Sequence, residues 1–511
     1  MIAGSALRVA TTALLLAGAS IAQAAVFTVD NTLDSGTGSL RQAIIDANNA
    51  SGSANVIDFA IPGSGPFTIA LASQLPTITG TLTIDGYSQP GSLMNTNTPD
   101  QGGLDTQLMI EIVGNGGYGF ILNDTPVFVS LTVQGLCLHD FSDPIVGVGN
   151  APDASQLNVY GNFIGTRIDG SALPGVGNSG SALRSGRGTA QIGGTQPWQR
   201  NILSGGGNFG VAIAGAAIVE GNLIGTDASG TLPIPNGTLG NNAGISIPAN
   251  VANVRVGGAA PESRNVISGN HAFGIGIGNP SSGPQYVGLE IKGNYIGTDW
   301  SGTRPLPNGF TDPRDAQYGG GIQLQSNETD STPAMIGGFA AGEANLIAFN
   351  RGAGIIAASN SAGESFDSQG NLMHHNHGVG GANIDIGSFG PTPNDPDDAD
   401  SGANGVQNYP ELLSASRNAN QLTVTYRVDS TTANSAYPLR VDFYADAEGG
   451  GAELLGQDSY AAGDAQQART VTLSVPPGAK SIPFVATATD ADGHSSEFSP
   501  AFDVIFENDF D

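Results

Sequence analysis

A short motif recurs along the middle of the chain and limits what it can fold into. Gly161-Asn162-Phe163-Ile164-Gly165-Thr166 returns as Gly221-Asn222-Leu223-Ile224-Gly225-Thr226 and as Gly293-Asn294-Tyr295-Ile296-Gly297-Thr298. Interleaved with it, Ile192-Gly193-Gly194 precedes Arg200-Asn201-Ile202-Leu203-Ser204-Gly205, Val256-Gly257-Gly258 precedes Arg264-Asn265-Val266-Ile267-Ser268-Gly269, and Ile336-Gly337-Gly338 precedes Asn345-Leu346-Ile347-Ala348. A third element trails behind as Gly210-Val211-Ala212-Ile213, Gly274-Ile275-Gly276-Ile277 and Gly354-Ile355-Ile356, and a worn copy, Gly370 to Asn376, closes the series. Each unit reads as a strand of three to five residues with alternating apolar positions, too short to bury its own face. Asn201 and Asn222 are 21 residues apart and Asn265 and Asn294 are 29 apart. That is one turn of a solenoid rather than a hairpin. Stacked parallel strands, about 4.8 Å apart, would set each Ile over the next. Asparagines at the turns would form an amide ladder, and glycines would supply the left-handed corners.

The opening segment has its own pattern. Phe27-Thr28-Val29 leads through Asp34-Ser35-Gly36-Thr37-Gly38 into Ser39-Leu40-Arg41-Gln42, a capping box with Ser39 at N-cap and Gln42 at N3. Leu40, Ala43, Ile44 and Ala47 form one apolar helical stripe, which predicts a short helix over the open first coil. Ile57-Asp58-Phe59 and Leu82-Thr83-Ile84-Asp85-Gly86 follow. Together the cap and the repeats resemble the right-handed parallel β-helix proteins that bacteria secrete, over about residues 25–410. The resemblance implies an all-β fold, a right-handed parallel β-helix solenoid with an N-terminal capping helix. It implies no single activity, because adhesin-like proteins, lyases and hydrolases share this architecture.

The N-terminal segment predicts export. Arg8, an apolar stretch from Val9 to Ile21 and the small-x-small site Ala22-Gln23-Ala24 read as a cleaved signal peptide over 1–24. The stretch is short for a membrane span, and no later segment resembles one, so no transmembrane segment is expected in the mature chain. Cys137 is the single cysteine, so no internal disulfide forms; it reads as a small buried hydrophobe, with His139 on the same strand face as the alternative partner for chemistry. Acidic residues number 45 against 17 basic, a net charge of −28, and Lys292 and Lys480 are the only lysines. That balance excludes unaided nucleic-acid binding and weighs against polyanionic ligands unless a bound cation inverts the local sign.

Beyond the solenoid (25–393) the pattern changes. An acidic linker, 394–407, precedes alternating runs at Leu422/Val424/Tyr426/Val428, Leu439/Val441/Phe443, Val471/Leu473/Val475 and Phe484/Ala486/Ala488. These predict a C-terminal β-sandwich resembling immunoglobulin-like modules over 408–505, with an acidic tail at 506–511. Asp395, Asp397, Asp398 and Asp400 crowd the linker and are the candidate metal ligands, with calcium as the ion such hard oxygen donors suit; a solvated acidic linker is the other reading. Asp490 and Asp492 read as turn formers. His374, His375 and His377 are a second candidate ligand group, although neighbouring strand residues should point to opposite faces. Asp227 and Asp299 occupy equivalent repeat positions and read as turn residues rather than a catalytic pair, and Arg200 and Arg264 are likewise equivalent. No lyase signature is recognisable. Trp198, Trp300, Tyr286, Tyr295 and Tyr318 are candidate sugar-stacking aromatics. The expected function is adhesin-like binding of a polysaccharide or cell-surface glycan, secreted or at the cell surface; the alternative is a polysaccharide-degrading lyase or glycoside hydrolase acting along the solenoid groove. An enzyme should place non-repeating carboxylates or an arginine in one shallow groove.

Overall fold

The computed structural model describes residues 24–50, 54–122, 128–147, 155–239, 242–248, 251–278, 287–309, 319–325, 332–357, 364–418, 420–446, 450–475, 483–503 and 505–506. Residues 1–23 of the expected signal peptide and 507–511 of the acidic tail lie outside them, as do Tyr286, Tyr318 and Lys480. No helix among the described residues is long and apolar enough to cross a membrane.

The repeats build a parallel β-solenoid of three sheets, with eleven, ten and nine strands. One coil runs through Gln156–Tyr160 in the first sheet, Phe163–Ile164 in the second and Leu183–Arg184 in the third, then returns to the first at Thr189–Gly193. Pairing is in phase from coil to coil. In the first sheet Ile57, Ile84, Val133, Val159, Ile192, Val219, Val256, Ile291 and Ile336 stack in one inward column. All of these side chains are buried. Burying a side chain of this size contributes about 1.5–3 kcal/mol, and the column repeats it coil after coil.

Alternation alone would leave one residue of each short strand, the first, facing water. In the second sheet both are buried instead. Ile164, Leu203, Ile224 and Ile267 point into the bore, while Phe163, Ile202, Leu223 and Val266 form a separate outer cluster with Leu108 and Cys137. Tyr87, Leu104, Ile168, Ala228 and Trp300 pack over that cluster.

Two asparagine ladders close the corners. Asn162, Asn201, Asn222, Asn265, Asn294, Asn345 and Asn371 form the first. Each Nδ2 through Asn345 donates to the next Oδ1 at 2.8–3.3 Å. The same amides reach back to carbonyls such as Val159, Ile192 and Val219. A second ladder runs through Asn236, Asn270, Asn308, Asn350, Asn376 and Asn383, with links of 2.8–2.9 Å. Both ladders are buried.

The helix Leu40–Asn49 packs on the first strands with Leu40, Ala43, Ile44 and Ala47 buried. Only half of the capping box forms. Gln42 N donates to Ser39 Oγ, but the Gln42 side chain turns to Asp46 at 2.9 Å.

After the last coil come two antiparallel sheets, of four and three strands, whose facing residues Leu422, Val424, Tyr426, Val441, Phe443, Leu473, Phe484 and Ala486 share one apolar cluster. In the four-stranded sheet the short Ile505–Phe506 strand pairs in parallel. This C-terminal part is fastened to the solenoid's open end. The edge strand Phe366–Gln369 has no further coil to pair with. Phe366 N instead donates to Asn404 Oδ1 at 2.8 Å and Ser368 N to Ser495 Oγ at 2.9 Å. On the third sheet's edge, Ile386 N donates to Glu497 Oε1 at 2.9 Å. Arg440 bridges Asp442 (2.9 Å) and Asp367 (2.8 Å) across the same junction. Side chains thus take the place of the missing strand, which would otherwise be an aggregating edge.

The ladder geometry sets an expected outcome. Asn222→Ala leaves buried partners on both sides unpaired and should destabilise the chain by about 2–4 kcal/mol, while exposed Gln156→Ala on a strand changes little; urea unfolding midpoints distinguish them.

Candidate functional site

The outer face of the third sheet carries a groove. Its outward column reads Ile121, Val146, Arg184, Ala212, Ser246, Gly276, Gln323 and Ile356. Small side chains in three successive coils make the floor low. The corners beside them are short as well: four residues each at 185–188, 213–216 and 248–251, against nine at 147–155 and at 278–286. A cavity of about 650 Å³ lies over these short corners, lined by Arg187, Thr189, Gly215, Pro248 and Asn253. It meets a second of about 360 Å³, with Tyr118 and Arg184, at the shared Ala214. A third, of about 310 Å³, continues along the sheet past Phe209, Asn242, Ser246, Gln323 and Gln325. No Asp or Glu lines these three cavities among the described residues. Arg184 has Asp143 within 3.6 Å, but that carboxylate is buried and accepts Ser181 N at 2.7 Å. Arg187 is exposed, with no carboxylate partner among the described residues.

The acidic segment is not a solvated tether. Asp398, Ala403, Asn404, Gln407 and Asn408 are buried at the junction. Asp397 and Asp398 both take left-handed backbone, at φ 67° and 59°, and this turn sends their side chains apart. Asp398 points inward, accepting from Asn408 N at 2.8 Å, from Gln407 Nε2 at 2.7 Å and from Ser435 Oγ. Asp395, Asp398 and Asp400 bring carboxylate oxygens within 4.8 Å of one another. Asp397 does not join them, because its carboxylate is taken by Gln466 of the C-terminal part. Asp395 Oδ1 is buried without a hydrogen-bond partner. Burial, then the charges of Asp395 and Asp398, pushes Asp400 up to about 6. Burial also raises Asp398. Crowded carboxylates with an unsatisfied oxygen are a donor set that fits a hard divalent cation.

Other candidates resolve differently. Asp490 is a buried turn residue, accepting His494 N and Ala436 N, and lies low mainly through hydrogen bonds with His494, despite its burial. Asp227 and Asp299 organise turns, with Oδ1 accepting Leu232 N (3.1 Å) and Ser301 N (3.1 Å). Arg200 is buried and donates to the carbonyls of Asn97, Gly102 and Gly221, tying an outer loop to the coils. Arg264 lies 4.2 Å over the Tyr295 ring. Trp198 packs edge-on against Tyr160, and Trp300 helps cover the outer cluster, so neither is an open stacking platform. His374 and His375 correct the expectation that they point apart: their Nδ1 atoms are 2.8 Å apart. His375 occupies a left-handed corner (φ 55°) that Gly205 and Gly269 hold in earlier coils, which swings its ring back beside His374.

Sequence reasoning missed Glu497 and Asp385. Glu497 accepts Ile386 N and Thr392 N, both at 2.9 Å, and burial pushes it up to about 8. Asp385 is pushed up to about 6, also by burial. Glu497 lines a cavity of about 280 Å³ with Tyr409 and Pro391. Only the change of environment at the junction singles these two out; the sequence around them carries no motif.

No protein-family model matches the chain, and no curated protein matches it.

A raised carboxylate means that the native state holds a proton the unfolded chain has released. Between the unfolded pKa near 4.5 and about 8, Glu497 therefore makes stability fall as pH rises. Thermal unfolding should show a smaller loss between pH 5 and pH 8 in Glu497→Gln than in the parent.

Proposed function

We propose that this is an exported, right-handed parallel β-helix protein, with an N-terminal capping helix and a C-terminal immunoglobulin-like sandwich, that binds carbohydrate polymers or surface glycans in an adhesin-like role. The right hand follows the general rule for parallel crossovers. The observation that carries the reading is the groove along the third sheet. It crosses successive coils, its floor is small, and amides, hydroxyls, two arginines and the exposed Tyr118 line it without a carboxylate. Repeating floor positions suit a repeating, extended ligand, and flat polar surfaces with scattered aromatics suit sugar rings. Asp395, Asp398 and Asp400 would hold calcium, which would fasten the C-terminal part to the last coil.

A second reading is a polysaccharide-degrading enzyme. Glu497, held near pKa 8 beside its own cavity, has the protonation state of a general acid, and Arg184 and Arg187 are the non-repeating arginines a lyase groove would show.

The test is retention of the chain on a panel of neutral and acidic insoluble polysaccharides, with products followed in the same samples. Ser246→Trp fills the groove floor and should weaken retention at least tenfold without lowering the melting temperature. Reducing ends or unsaturated products that vanish in Glu497→Gln or Arg184→Ala would replace binding with catalysis. Millimolar calcium should raise the melting temperature at pH 7 more than at pH 5, where protons compete for Asp400 and Asp398, and Asp400→Asn should shrink the difference.

A further inference from the structure

Near the start of the second sheet, three unlike donors converge on its outer face. Glu111, in Ile110–Val113, is register-paired with Cys137 in Cys137–His139. Its neighbours Ile110 and Ile112 point into the bore, as does Leu138, so Glu111, Cys137 and His139 share the opposite face. Glu111 Oε1 lies 3.2 Å from His139 Nε2, and ligand atoms of all three residues fall within 4.8 Å of one another.

Groups behind the nitrogen and oxygen donors hold them in place, while Cys137 Sγ donates to the Thr166 carbonyl at 3.4 Å. His139 Nδ1 is 3.1 Å from Asp140 Oδ2, so Asp140 fixes the ring and leaves Nε2 facing inward to the cluster. Asp140 does this from a left-handed backbone (φ 61°), a conformation given to glycine at the matching corners Gly205 and Gly269. A non-glycine residue accepts strain there, and the side chain gained is the one that orients the histidine. Glu111 Oε2 accepts Thr68 Oγ1 at 2.8 Å, which leaves Oε1 for the cluster. A ligating imidazole backed by a carboxylate, and a ligating carboxylate backed by a hydroxyl, is the support that metal centres use.

We propose that Cys137 Sγ, His139 Nε2 and Glu111 Oε1 form a binding site for Zn²⁺ or a similar borderline-soft divalent ion, with a fourth position left to solvent. Thiolate, imidazole and carboxylate together select zinc over calcium or magnesium. With bonds of about 2.1 Å, a tetrahedral ion separates its nitrogen and oxygen ligands by about 3.4 Å, close to the spacing of Nε2 and Oε1. Ligation requires the Cys137 thiolate, so binding would release the thiol proton. The side chains of His139 and Glu111 retain 8% and 19% exposure, which gives the ion a route in. The site is independent of the groove and of the acidic junction.

Cobalt(II) added to the full chain is the probe, because a thiolate ligand gives it an intense charge-transfer absorption. One equivalent should bind with that band and tetrahedral d–d bands, and zinc should displace it. Cys137→Ser should remove the thiolate band and weaken binding at least tenfold. Asp140→Asn should keep the band and weaken binding 10- to 100-fold. If Cys137→Ser fails to fold, Glu111→Gln serves, and it too should weaken binding at least tenfold. Failure of the parent chain to bind cobalt, binding without a thiolate band, or affinity unchanged in Glu111→Gln and Cys137→Ser would overturn the site.

Discussion

Each coil of a solenoid must satisfy the backbone groups at its corners, where no strand ladder runs. The buried asparagine columns do this. An asparagine amide can donate to the next side chain and to a carbonyl of the preceding coil while its oxygen accepts from the coil on its other side. Asn222 does all three, between Asn201 and Asn265. An aspartate would lack the donors, and a serine would be too short to reach. With the corners paired, each Ile or Val is held above its counterpart, and the apolar columns repeat without slippage. The outer groove is a consequence: where corners are short and floor residues small, the in-phase stacking leaves an open trough across several coils.

Ends are the weakness of such an architecture. At the far end the chain answers with side chains rather than with a strand. Asn404, Ser495 and Glu497 accept the orphaned amides of Phe366, Ser368 and Ile386. The acidic segment is drawn into this junction, which is why Asp398, Asp400, Asp385 and Glu497 all sit above the ordinary carboxylate range. Desolvation leads in each. A protein of net charge −28 thus concentrates its least comfortable carboxylates where its two parts meet.

Much of the solenoid was legible because repetition shows in sequence. The Gly-Asn-x-Ile-Gly-Thr copies mark strand, ladder and corner at once, and the stripe of Leu40, Ala43, Ile44 and Ala47 is the buried face of the helix. The second ladder was missed, although Pro-Asn-Gly at Asn236 and again at Asn308 is a signal for it; the other members follow corners of varied composition. The convergence of His374 and His375 was hidden because strand alternation fails once a residue takes left-handed backbone, and nothing in the identity of His375 announces that. The same holds for Asp140. Asp397 looks like its neighbours in sequence, and only two successive left-handed residues separate it from the other three aspartates. Glu497 is invisible for a plainer reason: its character comes from what it docks against.

Native-state hydrogen exchange on the intact chain tests the ladder account most directly. The corner amides of Asn201, Asn222, Asn265 and Asn294 donate to side-chain oxygens of the next coil rather than to a strand. If the ladders hold the coils in phase, these amides exchange as slowly as those of the flanking strands, such as Val219 and Val256. Corners that exchange freely while the strands stay protected would contradict the account and leave the apolar columns as the sole source of register.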